Sequence, residues 1–232
     1  MVLFNQTKLY VMSTSTEKKM FENPVMEMLS ISGPKIMIPF HLIVISLLIY
    51  RGTQTTAIEN GYLSPILLFA GGFVFWTFAE YLLHRYVFHF IHDSPAVMKF
   101  HYAVHGYHHS VPRDHRRLFM PPLPAAILLT AFWGLFYLTM GDKAWFFLPG
   151  FELGYLGYAI VHYSTHTITA NQAPALLRPL WIHHALHHYQ YPDKAFGVSN
   201  RFWDRVFGTM PPANAQPRKR SAESVAAHHH HH

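Results

Sequence analysis

The chain has 232 residues, half of them apolar, and only 13% carry a charge, about half of the roughly 25% usual in soluble domains. So little charge does not cover a soluble surface. The formal charge of +6 follows no stripe of interleaved aromatics, so a basic membrane-facing surface is expected and nucleic acid is not. The absence of cysteine excludes disulfides, Cys-ligated zinc, Fe–S clusters and thiolate haem.

In chain order, the first fifteen residues lack the continuous apolar core and cleavage site of a signal peptide. Residues 1–35 read as an N-terminal arm. Within it, Glu17 to Ile31 mixes Lys18, Lys19, Glu22 and Glu27 with Phe21, Val25, Met26 and Leu29. That pattern predicts a short interfacial helix with Pro24 near its start, a floppy arm being the alternative. A main domain of residues 36–212 follows, with four hydrophobic spans. Ile36 to Tyr50 is the shortest and holds Pro39 and His41, so it needs tilt to cross roughly 30 Å of hydrocarbon. Tyr62 to Leu83 carries Glu80 only near its end, and Pro122 to Met140 is left at Gly141-Asp142. Ala144 to His166 has Gly150, Gly154 and Gly157 spaced for helix–helix contact, or Pro149-Gly150 marking a kink. Residues 213–227 form a basic tail, and His228 to His232 read as a purification tag, outside the chemistry.

Lys and Arg orient the spans. The two short connections hold one each, Arg51 and Lys143; the others lie in the arm, the 84–121 segment and the C-terminal region. The positive-inside rule then puts both termini and the central segment in the cytoplasm. The fold class expected is all-α: an integral, multi-pass membrane protein of four transmembrane helices with a helical cap on the cytosolic face.

Under that topology every histidine group emerges on one side. His84 and His89 leave the second span; His105, His108 and His109 precede the third; His162 and His166 close the fourth; His184, His187 and His188 follow it. In each H-x2-H-H run the outer rings share a helical face with the middle one beside them, so three imidazoles are expected to converge. His84 and His89 do not fit a plain helix, because five residues advance about 140° past a full turn. Either the helix breaks near Arg85-Tyr86 or the two rings serve different metals. One zinc takes about four ligands, so ten imidazoles match two metals with around five each. Neither Glu-x-x-His nor H-E-x-x-H is present, which argues against a carboxylate di-iron bundle and a zinc protease. An all-nitrogen pair suits redox chemistry on dioxygen better than hydrolysis.

The ordered series H-x4-H, H-x2-H-H, H-x3-H and H-x2-H-H resembles the membrane fatty acid hydroxylase superfamily. It is most similar to the fatty acid 2-hydroxylases of sphingolipid acyl chains. Pro112-x-Asp114, Arg117 to Pro122, Phe196-Gly197-Val198, Phe202-Trp203-Asp204 and Phe207-Gly208-Thr209 extend the likeness over roughly residues 60 to 210. The resemblance implies the ten histidines as ligands of two iron ions, which zinc can replace in the purified protein. It implies dioxygen as co-substrate and a lipid substrate drawn from the bilayer. It also implies α-carbon (C2) hydroxylation of long acyl chains of fatty acids or ceramide-type sphingolipids. No cytochrome b-type haem stretch is visible in the sequence, so a separate electron donor, cytochrome b-type or ferredoxin-like, is expected.

Around the ligands, Asp114 is expected to orient an imidazole or cap a helix. His101 and His183, four before His105 and His187, are expected to brace ligands, direct ligation being the alternative. Tyr107, Tyr163 and Trp181 are candidates to line the substrate path, with simple packing as the alternative. Glu80 is a candidate acceptor for His84. Arg116 and Arg117 are expected to meet lipid headgroups or the donor, or to form a solvated patch. His41 has no partner at helical spacing, so packing or an interface is expected for it, and His92 and His115 are surface or bracing groups. Rival readings are a sterol or carotenoid hydroxylase or desaturase of the same superfamily, and a zinc-transporting or metal-buffering membrane protein. A transporter needs polar ligands near the bilayer midplane, whereas these spans look nearly free of them.

Overall fold

A computed structural model describes residues 18–217. The first seventeen residues, the end of the basic tail and the histidine run at 228–232 lie outside the described residues, and with them the signal-peptide and tag readings. Among the described residues the protein is helical, with no β-strand. In order these are α1 (Pro24–Leu29), α2 (Pro34–Gly52), α3 (Leu63–Leu82), α4 (Pro95–His101), α5 (Tyr107–Ser110), α6 (Pro122–Met140), α7 (Ala144–Thr167), α8 (Arg178–Tyr189) and α9 (Phe202–Val206).

Three stretches are long and apolar enough to cross a membrane: Pro34–Gly52, Leu63–Phe88 and His115–Thr167. The last runs to 53 residues and holds both α6 and α7, parted at Gly141, whose φ of 59° lies in the left-handed region open to glycine. α2 is 19 residues long, four more than the hydropathy predicts. At about 1.5 Å per residue that length nearly matches the hydrocarbon thickness without a large tilt. Pro39 is carried inside α2 and Pro149 inside α7, so α7 continues past Pro149 as one helix.

α7 is the central element. Along it, Phe147 meets Phe136 and Phe151 meets Phe132, so α6 runs antiparallel to α7. Trp145 meets Arg51, Glu152 meets His41 and Ala159 packs with Met37, so α2 is antiparallel as well. α3 is parallel to α7 and very close. A Cβ on Gly150 would collide with the Phe69 carbonyl oxygen, and one on Gly72 with the Phe147 carbonyl oxygen. Gly154 sits against Trp76, but Gly157 faces open space and takes no part in the contact. Small residues therefore let two backbones touch, as in membrane helix pairs. Trp76, Phe136, Leu148 and Phe151 fill the core between these helices. The outer faces stay apolar, with Ile43, Leu47, Ile66, Leu67, Ile127 and Leu138 exposed, as a lipid-facing surface requires.

One buried polar contact crosses the bundle. His41 Nδ1 lies 2.5 Å from Glu152 Oε1, with both side chains buried. His41 thus has a partner on another helix, which spacing within α2 could not reveal. α1 is only six residues, shorter than the predicted stretch, and is capped by the Asn23 side chain accepting the Val25 and Met26 amides. Val25, Met26, Met28 and Leu29 leave its apolar side exposed.

Candidate metal centre

The second span does not break before His89; it widens. Residues Leu83–Phe88 form a π-helical turn, and the His89 amide donates to the His84 carbonyl at 3.2 Å. A π turn closes over five residues instead of four, so both rings fall on one side, with centroids 5.0 Å apart. Neither sequence-based expectation for this pair holds. A second π turn, Tyr102–Gly106, delivers His105 at the start of the next run.

The ten box histidines gather as two sets of five. His84, His89, His105, His109 and His187 form one; His108, His162, His166, His184 and His188 form the other. Within each set one nitrogen per ring lies within 4.8 Å of all the others. Each H-x2-H-H run is divided rather than convergent. His105 and His109 face the first set while His108 faces the second; His184 and His188 face the second while His187 faces the first. On a helix, residues i and i+4 share a face, and i+3 lies about 100° away from i+4. Both runs therefore straddle the two sets, which abut through stacked His109 and His188 rings 4.2 Å apart.

The inward nitrogens fit metal coordination. His84 Nδ1–H donates to the Phe196 carbonyl at 2.5 Å, and His187 Nδ1–H to the Lys194 carbonyl at 2.7 Å. That leaves the Nε2 lone pairs of both rings directed inward. Those Nε2 atoms face the Nε2 atoms of His105 and His89, each at 3.0 Å. In the second set, His162 faces His108 at 2.9 Å and His166 faces His184 at 2.8 Å. Ligands about 2.0–2.1 Å from an ion and 90° apart would be separated by about 2.9 Å, so the spacing suits five or six positions better than a tetrahedron. Burial holds the His89, His105, His108, His109, His184 and His188 rings well below the usual imidazole range. His187 is lowered to about 4, again chiefly by burial. The rings are neutral, the form that binds a metal.

The supporting residues divide differently from expectation. His101 and His183 lie in neither set. His101 Nδ1–H donates to the Phe88 carbonyl at 2.7 Å, and His183 Nε2 meets Asp204 Oδ2 at 3.0 Å. Asp114 takes the capping role, accepting the Arg116 amide, and also bonds Tyr107 and the Arg116 and Arg117 guanidiniums rather than an imidazole. Glu80 accepts the Val198 and Ser199 amides, not His84. The Arg117 head is buried between Glu27 and Asp114, donates to Ser30 and lies 5.3 Å from the Tyr107 ring centre, so it is no solvated patch. The Tyr107 hydroxyl lies 2.7 Å from both an Asp114 carboxylate oxygen and the Lys18 carbonyl, which share its one proton, and Trp181 donates to the Ile168 carbonyl. Tyr163 packs on Phe119. Asp204 lies in a motif of the family likeness that gave it no role, and Glu152 carries no local pattern that marks it; the role of a buried carboxylate shows only through the partners the fold brings to it.

An all-helical bundle with long lipid-compatible faces, joined to ten clustered imidazoles, defines an integral membrane protein with a candidate metal centre. A family model described as fatty acid hydroxylase matches residues 69–209, a range that includes all ten rings. The chain belongs to the fatty acid hydroxylase family. It is 40% identical over 149 residues to the dihydroceramide fatty acyl 2-hydroxylase FAH1 of Arabidopsis thaliana, covering 64% of this chain and 62% of that protein. It is 34% identical over 154 residues to the fatty acid 2-hydroxylase of Mus musculus, covering 65% and 41%. The chain thus matches less than two thirds of either relative's length. The solved structure of full-length scs7p, in which only the hydroxylase domain is visible, aligns with a TM-score of 0.76 at 31% identity, covering 86% of this chain and 74% of that one.

Proposed function

We propose that this protein is a di-iron monooxygenase of the membrane that hydroxylates the α carbon (C2) of long acyl chains, those of fatty acids or of ceramide-type sphingolipids. The observation that carries the reading is the sorting of ten imidazoles into two five-nitrogen sets within a chain of this family. The reaction exchanges a C–H bond for C–OH; one oxygen atom of dioxygen enters the product, and the other leaves as water with two electrons and two protons. Bound iron would supply dioxygen activation and electron acceptance, and zinc fits the same donors.

His84, His89, His105, His109 and His187 would hold one ion; His108, His162, His166, His184 and His188 the other. The chain's own residues do the rest. The Lys194 and Phe196 carbonyls keep the Nδ1 protons of His187 and His84 turned outward. The Phe196 ring packs against His84, His89 and His187, and Phe88 stacks on His105, sheltering that set from water. Tyr158 stacks on His162 on the other side. The acyl tail would enter from the bilayer along apolar helix faces, which places its C2 position against the rings and excludes water from the reacting carbon. Of the three aromatics proposed to line that path, Tyr163 beside His162 is free of the polar ties that Tyr107 and Trp181 make.

Residues 36–212 constitute the hydroxylase domain, crossing the bilayer four times with both ends and the metal centre on the cytoplasmic face. The alternating directions of α2, α3, α6 and α7 and the bias of Lys and Arg support that topology. α1 lies in the interface, its apolar side toward lipid. A separate cytochrome b-type or ferredoxin-like donor docks on the basic face.

The test is lipid mass spectrometry under 18O-labelled dioxygen, in cells expressing the wild type or His108→Ala. Labelled 2-hydroxyacyl species are expected from the wild type alone. Label on a sterol or carotenoid, or altered metal uptake with unchanged lipids, refutes the assignment.

A further inference from the structure

The segment 194–199, between α8 and α9, touches two ligand imidazoles through its carbonyl oxygens. Its amides face the other way, and two carboxylates collect them. Asp204 accepts the Phe196 amide at 2.9 Å and the Gly197 amide at 2.8 Å, one on each oxygen. Glu80 accepts the Val198 amide at 2.7 Å and the Ser199 amide at 2.9 Å on one oxygen and the Ser199 hydroxyl at 2.5 Å on the other. Four consecutive N–H groups are thus held by two side chains that come from different helices. Both carboxylates are buried. The Ala195 amide donates to the Thr209 carbonyl at 2.8 Å, and Ala195 itself sits at φ 57°, strained for a residue with a Cβ. The fold holds this loop in a conformation that the loop would not choose.

The carboxylates are anchored in turn to the ligand-bearing helices. Glu80 lies one turn before His84 on α3, and Asp204 accepts from His183, one turn before His187 on α8. A second Asp204 contact, from the Thr209 hydroxyl at 2.7 Å, continues to Tyr81 at 2.9 Å and from there to Arg85 at 2.8 Å. All of this converges on one set of five. Both imidazoles that the loop orients, His84 and His187, belong to it. In the other set, His162 bonds the backbone of Leu118, outside this loop, and the Nδ1 atoms of His184 and His188, like that of His89 in the first set, have no such partner among the described residues.

We infer that Asp204 and Glu80 are positioning residues for one half of the metal centre, acting through the 194–199 loop, whose Lys194 and Phe196 carbonyls aim His187 and His84. This rests on the two-ion reading above. Each contact to Asp204 arrives from a donor, so Asp204→Asn would turn an amide NH2 against donors. Glu80→Leu removes the acceptors of the Val198 and Ser199 amides at the far end of the loop. Groups that orient metal ligands typically alter affinity about 10–100-fold.

The experiment uses zinc on the full chain purified in detergent, in two backgrounds: His162→Ala with His166→Ala and His184→Ala, which leaves two rings in that set and keeps the His84 set, and His89→Ala with His105→Ala and His109→Ala, which does the reverse. Zinc per chain and its transfer to a chromophoric chelator are measured. In the first background, Asp204→Asn and Glu80→Leu are each expected to weaken zinc retention about 10–100-fold. In the second, retention is expected to stay unchanged, which a general loss of folding could not produce. Equal weakening in both backgrounds, or none in the first, overturns the inference. Should Asp204→Asn fail to fold, Glu80→Leu alone decides the question by the same comparison. A wild-type chain that binds no zinc would instead sink the two-ion reading, and that is seen before any variant is made.

Discussion

Arg117 offers the most direct test of how the segment around α1 is tied to the 107–117 region. Its side chain is 4% exposed and pairs with Asp114, at 1%, and Glu27, at 18%. Arg117→Met keeps most of the volume and takes the shared guanidinium from both acids. Removing one partner of a buried pair costs about 3–5 kcal/mol; the Glu27 contact, nearer water, adds at most about 1 kcal/mol. Asp114 retains Arg116 and Tyr107, so about 3 kcal/mol is the expected loss. For a protein of this size that is roughly 6–12 °C in Tm, measured by thermal unfolding in detergent. The pH dependence has a definite sign. Burial raises both carboxyl groups, but hydrogen bonds outweigh it: Arg116, Tyr107 and Arg117 lower Asp114, while the Phe21 and Met20 amides and Arg117 lower Glu27. Groups lowered in the fold contribute stability above their unfolded values near 4 and lose it as pH falls through the folded ones. The gap between wild type and variant should therefore be full at pH 7 and shrink below about pH 4. A Tm change under about 2 °C at pH 7 would refute the reasoning.

Gly150→Ala is expected to cost about 3 kcal/mol or more, since its Cβ would meet backbone of α3, whereas Gly157→Ala, in open space, should be neutral or slightly stabilising; equal effects in thermal melts would contradict the α3–α7 contact. His41→Leu strands the Glu152 carboxylate and should destabilise by about 3–5 kcal/mol, and adding Glu152→Leu should recover most of it; a double variant as unstable as the single one argues against the pair. The metal-stripped protein should lose stability as pH falls from about 6.5, where unfolded histidines begin to bind protons, because burial keeps folded rings such as His187 neutral down to about 4. Denaturant curves at pH 7.5 and 5.5 test this, and identical midpoints would count against buried neutral imidazoles.

Composition and spacing carried a large part of this protein. Low charge and long apolar runs mark the helices, and α6 begins and ends where hydropathy and Gly141 put it. The ten histidines could be named because repeated imidazoles at helical spacing have few other uses. Local pattern could not divide them, since sharing each H-x2-H-H run between two sets depends on how α5 and α8 lie against α7. Nor could it foresee the π turn at Leu83–Phe88, because widening one turn leaves no mark in residue types and is favoured only by what the rings meet. His41 with Glu152, Arg117 with Glu27, and Glu80 with the 194–199 loop are all matched across long separations. A single buried charge has no periodicity, and its meaning comes from the partner that chain folding delivers to it.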